Sequence, residues 1–107
     1  MTDALVVLTT VESREDGERL ARALVEARLA ACVQILPPMT SIYRWQGAIQ
    51  QASEHLLLLK TTRDAYPRLA AEISALHPYQ TPELVALPVE SIASDYWNWL
   101  TKSLLET

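Results

Sequence analysis

The chain has 107 residues, of which half are hydrophobic and 21% are charged, and this composition predicts a single folded domain over residues 1–107 rather than a disordered segment. A formal net charge of −4 and the scattering of the nine basic residues argue against a nucleic acid or an anionic membrane as a partner. A single cysteine excludes an internal disulfide, and the apolar runs are too short to cross a bilayer, so we expect a cytoplasmic protein.

The first elements along the chain alternate strand, helix and strand. Residues 4–11, ALVVLTTV, are apolar and rich in β-branched side chains, which predicts a buried strand. Ser13 followed by Asp16 is typical of a helix N-terminus, and leucine and alanine then recur at helical spacing, so we expect a helix over residues 13–28. The segment ACVQIL predicts a second strand, which a pair of prolines at 37–38 ends.

The second half of the chain predicts a hairpin, a helix, a strand and a last helix. The Gln-Gly pair at 46–47 is a turn signal between strand-like residues and the apolar run HLLLLKT. A second amphipathic helix begins near Tyr66 and must end near His77, because the residue before a proline is disfavoured in a helix. The run LVALPV predicts the last strand, and the third helix is expected to be capped by Ser91 or Ser94.

This order of four strands and three helices predicts an α+β ferredoxin-like sandwich, βαββαβ with an extra C-terminal helix. The strands contain the runs LVVL, LLLL and LVAL, which are typical of strands buried on both faces of a sheet. The two crossover helices can cover only one of these faces. We therefore expect copies of the same chain to cover the other face, with the C-terminal helix over part of it.

Few side chains offer chemistry, since the sequence contains no phosphate loop, no CxxC pair and no HExxH or GxSxG motif. Cys32 lies in an apolar strand, where a free cysteine is usually an inert packing residue, although it could act as a nucleophile with His77 or His55. His77 could be a metal ligand, a proton carrier or only the cap of the second helix. His55 follows Glu54 at the polar start of a strand and is expected to be solvated.

Several aromatic and charged residues are candidates for an interface or a pocket. Tyr43 and Trp45 are two residues apart on a strand and therefore share a face, as core and interface aromatics often do. Trp99 has a second tryptophan two residues before it, so the two cannot share a helix face and at least one is expected to point outward. Lys60 and Glu83 could form a charge pair if their strands are neighbours in the sheet.

The runs LAACVQILPPMTSIYRWQGAIQ, LLLLKTTRDAYPRL, HPYQTPELVALPV and DYWNWL together resemble the CutA family, which is named for divalent-cation tolerance. The resemblance covers roughly residues 5–100 and is specific, because the segments AACV, SxYxWxG, KTT and HPY occur in the family's order and spacing. It implies a ferredoxin-like protomer in a homotrimer, residence in the cytoplasm, and a link to copper and other divalent cations. It implies no settled catalytic reaction.

The family's characteristic positions carry over to Cys32, Tyr43, Trp45, Gly47, Glu54, Lys60, His77, Pro78, Tyr79, Pro82, Glu83, Tyr96 and Trp99. The candidate metal ligands are His77, Cys32 and Glu83, and in a trimer three copies of His77, or His77 with Glu83 across an interface, could meet near a subunit boundary. The resemblance points to an interface or pocket that contains Tyr43, Trp45, Glu54, Lys60, Tyr79 and Trp99. Some members carry a cysteine and a second histidine where this chain has Thr9 and Leu76, so we expect metal binding to be weak.

Three functions follow from these observations. The first is a homotrimer that binds Cu(II) or a similar divalent cation weakly, requires no cofactor and catalyses no reaction. The second is a small-molecule sensor similar to the PII signalling proteins, which share the trimeric architecture. The third is a structural trimer that anchors another protein. A Cys/His hydrolase is disfavoured, because Cys32 has no evident activating neighbour in the sequence.

Overall fold

The computed structural model of the protein describes residues 2–105, which form an antiparallel sheet and three helices. The strands are β1 (Ala4–Val11), β2 (Cys32–Ile35), β3 (Met39–Trp45), β4 (Ala48–Thr62) and β5 (Val85–Pro88). The helices are α1 (Arg14–Glu26), α2 (Tyr66–Leu76) and α3 (Ser94–Ser103). Within the described part of the chain, no helix is long and apolar enough to cross a membrane.

The strands of the sheet are ordered β2-β4-β1-β5, and each neighbouring pair is antiparallel. Helix α1 connects β1 to β2, and α2 connects β4 to β5, so each connection passes over the strand that lies between its two ends. Because β1 separates β4 from β5, Lys60 and Glu83 are not on neighbouring strands. A charge pair between them was expected only for neighbouring strands, so its condition is not met, and the residues opposite Lys60 are Val6 and Cys32.

The structure has five strands, whereas the sequence analysis counted four. The strand-like residues before the Gln46-Gly47 turn form β3 as a strand separate from β2, and β3 pairs with the first half of the 15-residue strand β4. Gln46 and Gly47 have φ of 50° and 81°, the positive values of a tight hairpin turn, which confirms the predicted hairpin. The polar first half of β4 lacks an apolar run, so its length was not evident. We call residues 39–54 the β3–β4 arm.

Helix α1 begins as predicted, because the Ser13 hydroxyl accepts a hydrogen bond from the Asp16 N–H at 3.0 Å. It ends at Glu26, two residues before the predicted end, and Arg28 follows with φ of 60°. Gly17 brings the helix close to the sheet, since a Cβ atom there would lie 3.1 Å from Cγ2 of Val11. A larger residue at this position would push α1 away from β1.

The ends of the other two helices agree only in part with prediction. Helix α2 ends at Leu76, and the backbone N–H of His77 closes it with a 2.8 Å bond to the Ile73 carbonyl, as the following proline predicts. The predicted serine cap of α3 is wrong. Ser94 is already the first helical residue, and Ala93 at the cap position has no side chain that could accept a hydrogen bond.

The hydrophobic core lies between one face of the sheet and the helices α1 and α2. It is formed by the buried residues Leu5, Val7, Val11, Leu20, Leu24, Leu29, Ala30, Leu57, Leu59, Leu69 and Ile73. Helix α3 packs at one end of the molecule, where Leu100 and Leu104 join Ala31 and Ala65 in a second buried cluster. Alternate residues of β1 and β4 thus face the two crossover helices, as the strand period requires.

The opposite face of the sheet is also apolar. We call it the open sheet face, and its apolar residues are Val6, Leu8, Leu56, Leu58, Val85 and Leu87. The four residues on β1 and β4 are only half-buried, and Val85 and Leu87 are 44% and 45% exposed. The runs LVVL and LLLL therefore do carry apolar side chains on both faces, as predicted, while α1 and α2 cover only one.

Candidate functional site

A cluster of hydrogen-bonded polar side chains lies where the β3–β4 arm meets the body of the protein. It contains Glu54 at the base of the arm, His77 and Tyr79 in the segment after α2, and Thr10 near the end of β1. The rigid His-Pro segment positions the histidine, because Pro78 stops the helix and His77 takes an extended conformation with ψ of 136°. We call these four residues the His77 cluster.

Both ring nitrogens of His77 are engaged in hydrogen bonds. Its Nδ1 accepts from the backbone N–H of Tyr79 at 3.1 Å, so this nitrogen carries no proton. Its Nε2 therefore carries the proton of the neutral ring and donates to the Thr10 carbonyl at 2.8 Å. The ring also packs edge-on against the Tyr79 ring, with 4.8 Å between the centroids.

The hydroxyl of Tyr79 continues the cluster by donating to Glu54 Oε2 at 2.7 Å. Only 8% of Glu54 is exposed, although it is an acidic residue on a strand of mostly exposed polar neighbours. A buried carboxylate needs hydrogen-bond donors, and the phenol supplies one at short range. The cluster thus joins the arm to the segment that leads into β5.

The surroundings shift the pKa values of all three titratable groups in the cluster. Burial raises the pKa of Glu54, but hydrogen bonds from Ser41, Tyr79 and Thr10 outweigh burial, so the pKa is lowered overall. Burial lowers the pKa of His77 more than the Thr10 carbonyl and the Glu54 carboxylate raise it. Burial and the neighbouring Glu54 raise the pKa of Tyr79, which stays protonated at neutral pH.

The predicted metal ligands do not come together in one protomer. Cys32 lies opposite Lys60, whereas Thr10, which binds His77, lies opposite Leu56; these levels of β4 are about 13 Å apart at the usual rise of a strand. Glu83 is exposed and lies two residues before β5, at the Thr10 end of the sheet. Among residues 2–105, no three His, Cys, Asp or Glu side chains are placed to hold a metal ion.

Two expectations for single residues need correction. Cys32 is only half-buried, because it lies in β2 at the edge of the sheet rather than in a central strand. His55 is not solvated, since it is 7% exposed and its Nδ1 donates to the Leu36 carbonyl at 2.9 Å. His77 does cap α2 through its backbone, as one of the open interpretations had it, but its ring binds β1 rather than the helix carbonyls.

The sequence analysis missed Thr10 and Ser41 as members of the site. Thr10 contributes a backbone carbonyl to His77, which any residue type could supply, and a side-chain hydroxyl to Glu54 across the sheet, which no local pattern marks. Ser41 lies on β3 and reaches Glu54 only because the arm folds back on itself, which places β3 beside the first half of β4. The only sequence signal for Ser41 was that it is a polar residue at an alternate position of a predicted hairpin strand.

A second group of candidate residues surrounds Lys60 at the other end of the open sheet face. The Lys60 ammonium donates to Gln34 Oε1 at 2.8 Å and lies 5.8 Å from the centre of the Tyr96 ring. Tyr96 is 5.3 Å from Trp99 between ring centres. Trp99 is 46% exposed, while Trp97 packs against the second buried cluster, so the prediction that one of the two tryptophans points outward is confirmed.

The arm carries two more of the candidate aromatic residues. Tyr43 and Trp45 belong to β3, and both are 43% exposed. Ile42 and Ile49 on the same arm are 68% and 64% exposed. The arm therefore presents large apolar side chains to its surroundings, which is typical of a surface that contacts another protein chain.

The chain is similar to known proteins over nearly its whole length. The family model for the CutA1 divalent ion tolerance protein matches residues 5–103. A divalent-cation tolerance protein CutA from Thermus thermophilus is 53% identical over 98 residues, which cover 92% of this chain and 95% of that protein. The descriptions of the family and of this relative name tolerance of divalent cations and name no reaction.

Solved structures agree with the fold. The structure of a Thermus thermophilus divalent cation tolerance protein superimposes with a TM-score of 0.91 at 51% identity, over 94% of this chain and 98% of that one. A periplasmic divalent cation tolerance protein CutA from Archaeoglobus fulgidus gives a TM-score of 0.90 at 33% identity, over 94% of this chain and 97% of that one. The mixed architecture of an antiparallel sheet with three helices is thus shared with these proteins.

Proposed function

The chain belongs to the CutA1 divalent ion tolerance family, and from this premise we propose that it acts in tolerance of divalent cations such as copper. We propose that it does so as a homotrimer of ferredoxin-like protomers. The proposal includes no catalytic step and no required cofactor. We infer a cytoplasmic location from the single unpaired thiol of Cys32, although the Archaeoglobus relative is described as periplasmic.

The open sheet face supports the homotrimer. The face carries Leu58, Leu8 and Val85 in one row across three strands, since Leu8 lies opposite Leu58 on β4 and opposite Val85 on β5. Large contiguous apolar surfaces on a soluble chain usually mark an interface. Copies of the same chain are the commonest partners for such a surface, and closed symmetry limits their number.

The state of His77 carries the proposal that metal binding is weak. A metal ion takes a ring nitrogen that has no proton and a free lone pair, but Nδ1 already accepts from Tyr79 and Nε2 carries the proton given to Thr10. Binding a cation therefore breaks one of these bonds. Cys32 and Glu83 do not reach the same place in one protomer, so further donors have to come from a second copy.

The experiment is a copper titration of the metal-free protein, wild type and His77→Ala, at about pH 7.5 and about pH 5.5. We expect weak binding that His77→Ala reduces and that weakens at the lower pH, because an imidazole must be neutral to coordinate. Glu83→Gln should reduce binding more than the matched control Glu90→Gln, since both residues are exposed acids in the segments beside β5.

The stoichiometry distinguishes a site on the symmetry axis from the other possible sites. A site on the three-fold axis binds one ion per three chains, whereas a site at each interface between two subunits, or on each chain, binds one ion per chain. A tight site that keeps its affinity in His77→Ala and at the lower pH would contradict the role of His77. The histidine would then serve only to hold α2 and the following segment against β1.

A further inference from the structure

A groove lies at the end of the molecule where β1 begins and β4 ends, beside the N-terminus of α3. It has a volume of about 460 Å³, which is typical of pockets that bind small molecules, and is lined by Thr2, Asp3, Arg63, Ile92, Ser94 and Trp97. These residues precede β1, follow β4 or belong to α3 and the loop before it, so none lies on the open sheet face or on the β3–β4 arm. Copies of the chain that cover those two surfaces therefore leave the groove accessible.

The groove holds one acidic and one basic side chain that do not pair with each other. The backbone N–H of Arg63 donates to the Asp3 carbonyl at 2.9 Å, so the two residues are held side by side. Among residues 2–105, however, the ion pairs join only residues of α1, and neither the Arg63 guanidinium nor the Asp3 carboxylate lies within 4.0 Å of an opposite charge. Two opposite charges that line one groove and leave a gap between them can bind a ligand that carries both charges itself.

One wall of the groove is apolar. Trp97 and Ile92 pack against the second buried cluster, which fixes their positions, and both side chains are only partly buried and line the groove. Asp3 and Trp97 also line a neighbouring groove of about 350 Å³, whose other residues include Ala65 and Leu104. An apolar group that packs against the Trp97 indole therefore has room to extend past it.

The start of α3 adds a second positive group beside Arg63. Ser94 is the first residue of the helix and lines the groove, and Ala93 at the cap position has no side chain that could accept from the first N–H groups. These groups carry the partial positive charge of the helix N-terminus and need acceptors from outside the helix. A carboxylate that pairs with Arg63 lies beside this end of the helix.

We propose that this groove binds a free α-amino acid with an apolar side chain. The carboxylate of the ligand pairs with Arg63, its ammonium group pairs with Asp3, and its side chain packs against Trp97 and Ile92. A zwitterion fits better than a ligand of one charge, because Asp3 repels a simple anion and Arg63 repels a simple cation. The site depends neither on the binding of a metal nor on the His77 cluster.

The test is a titration of the wild-type protein with L-leucine, followed by the NMR signal of the Trp97 indole N–H. Isocaproate is leucine without the amino group, isoamylamine is leucine without the carboxylate, and glycine is an amino acid without an apolar side chain. We expect saturable shifts with leucine at a Kd of about 1 mM or below, and binding at least about tenfold weaker with each of the other three compounds. No saturable shift with leucine, or equal affinity for leucine and any of these compounds, would overturn the proposal.

Variants connect the binding to the two charged residues. Arg63→Gln and Asp3→Asn should each weaken leucine binding at least about tenfold, and Arg63→Lys, which keeps the charge, should bind leucine more tightly than Arg63→Gln. Arg68→Gln and Glu72→Gln are the matched controls. They remove the same charges from exposed positions on α2 that do not line the groove, so they should leave binding unchanged.

Two outcomes with the variants would overturn the assignment. The first is an unchanged affinity for leucine in Arg63→Gln or in Asp3→Asn, with a melting curve showing that the variant is folded. The second is an equal loss in Arg68→Gln or Glu72→Gln, which would indicate a general effect of net charge. Arg63 and Asp3 are both exposed, so their substitution should leave the fold intact, and Arg63→Lys separates a loss of the site from a loss of the fold if Arg63→Gln is unstable.

Discussion

His77 joins three parts of the chain through its backbone and both ring nitrogens. Its N–H closes α2, its Nε2 donates to Thr10 of β1, and its Nδ1 accepts from Tyr79. This pattern suits only the neutral ring. A protonated ring would carry a hydrogen on Nδ1 that faces the Tyr79 N–H, and two donors repel each other, so the bond between them would be lost.

The stability of the protein should therefore decrease as the solution becomes acidic. Burial lowers the pKa of His77 below its ordinary value of 6.5, so at pH values just below 6.5 the unfolded chain binds more protons than the folded chain. The free energy of unfolding then falls as the pH is lowered from about 7.5 to about 5.5. Glu54 contributes a similar loss only at lower pH, below its ordinary value of 4.5.

Guanidinium unfolding in the presence of a chelator, at fixed protein concentration, measures this dependence in wild type and His77→Gln. The substitution removes the titrating group, so the slope between the two pH values should shrink. His55→Gln removes the other histidine and serves as the control. A slope that survives in His77→Gln and vanishes in His55→Gln would contradict the assignment.

Two buried threonines should respond in opposite ways to the same substitution. Thr9 is fully buried, and its hydroxyl finds no hydrogen-bond partner among residues 2–105. Thr61 is equally buried, but its hydroxyl donates to the Leu29 carbonyl at 2.8 Å. Valine has nearly the same shape as threonine and lacks the hydroxyl. At Thr9 it therefore removes the free-energy cost of a buried hydroxyl without a partner, and at Thr61 it removes a hydrogen bond.

We expect Thr9→Val to raise the free energy of unfolding by about 1 kcal/mol and Thr61→Val to lower it by about 1–3 kcal/mol. Chemical denaturation of both variants beside wild type checks the signs. A destabilised Thr9→Val would show that the hydroxyl has a partner such as a buried water molecule.

The sequence predicted the structural roles of some of these residues better than those of others. The end of α2 at His77 followed from Pro78, because that restriction is local and acts through the backbone. The hydrogen bonds of the His77 ring depend on the approach of β1, about 67 residues away in the chain, and no local pattern encodes them. The burial of Glu54 and His55 was missed for the same reason, since both look like polar residues at the start of a strand.

Among the elements, the β3–β4 arm depends most on one turn. Gln46 and Gly47 both have positive φ, which is the conformation that glycine adopts readily and asparagine tolerates better than other residues. A Cβ atom on Gly47 would meet nothing within 4 Å, so the cost of replacing this glycine is one of backbone conformation and not of space.

Substitutions at the two turn positions should change stability in opposite directions. Gly47→Ala forces a side chain into the left-handed region and should cost about 1–2 kcal/mol. Gln46→Asn introduces the residue that hairpin turns of this type prefer at this position. It should leave the free energy of unfolding unchanged or raise it by roughly a few tenths of a kcal/mol. Thermal unfolding of the two variants measures the difference. An unchanged melting temperature in Gly47→Ala would indicate that the turn contributes nothing to folding.

The helices and the core strands were predictable from their residue patterns, whereas only the turn of the arm and the strand-like residues before it were. Helix α1 has its N-cap at Ser13 and apolar residues at helical spacing, and the observed helix differs by two residues at its end. The first half of β4, before His55, is polar and mostly exposed on both sides, so it lacks the alternation that marks a strand. Pairing with β3 through the turn is what makes it a strand.

At the scale of the whole molecule, the distribution of apolar surface is uneven. One face of the sheet is covered by α1 and α2, and its residues, such as Val7 and Leu57, are fully buried. The open sheet face and the arm together expose Val85, Leu87 and Ile42. Helix α3 reaches the open face near Lys60, through Tyr96. The molecule as one protomer therefore has a covered side and an uncovered side.

The proposed homotrimer predicts that these two sides respond differently to a buried charge. Leu87 is 45% exposed on the open sheet face, and Val25 is 42% exposed on α1, so the two residues start from similar exposure in one protomer. If copies of the chain cover the open face, Leu87→Asp places an unpaired carboxylate in an interface. Its burial raises the free energy of the assembled state by roughly several kcal/mol, so the subunits separate. Val25→Asp leaves its charge in water and should leave the assembly intact.

Sedimentation or light scattering measures the molecular mass of both variants and of wild type. All three are measured at about 10 µM protein, because assembly depends on the protein concentration. A wild type that sediments as a folded 12.0 kDa monomer, or a Leu87→Asp variant that assembles as wild type does, would contradict the trimer.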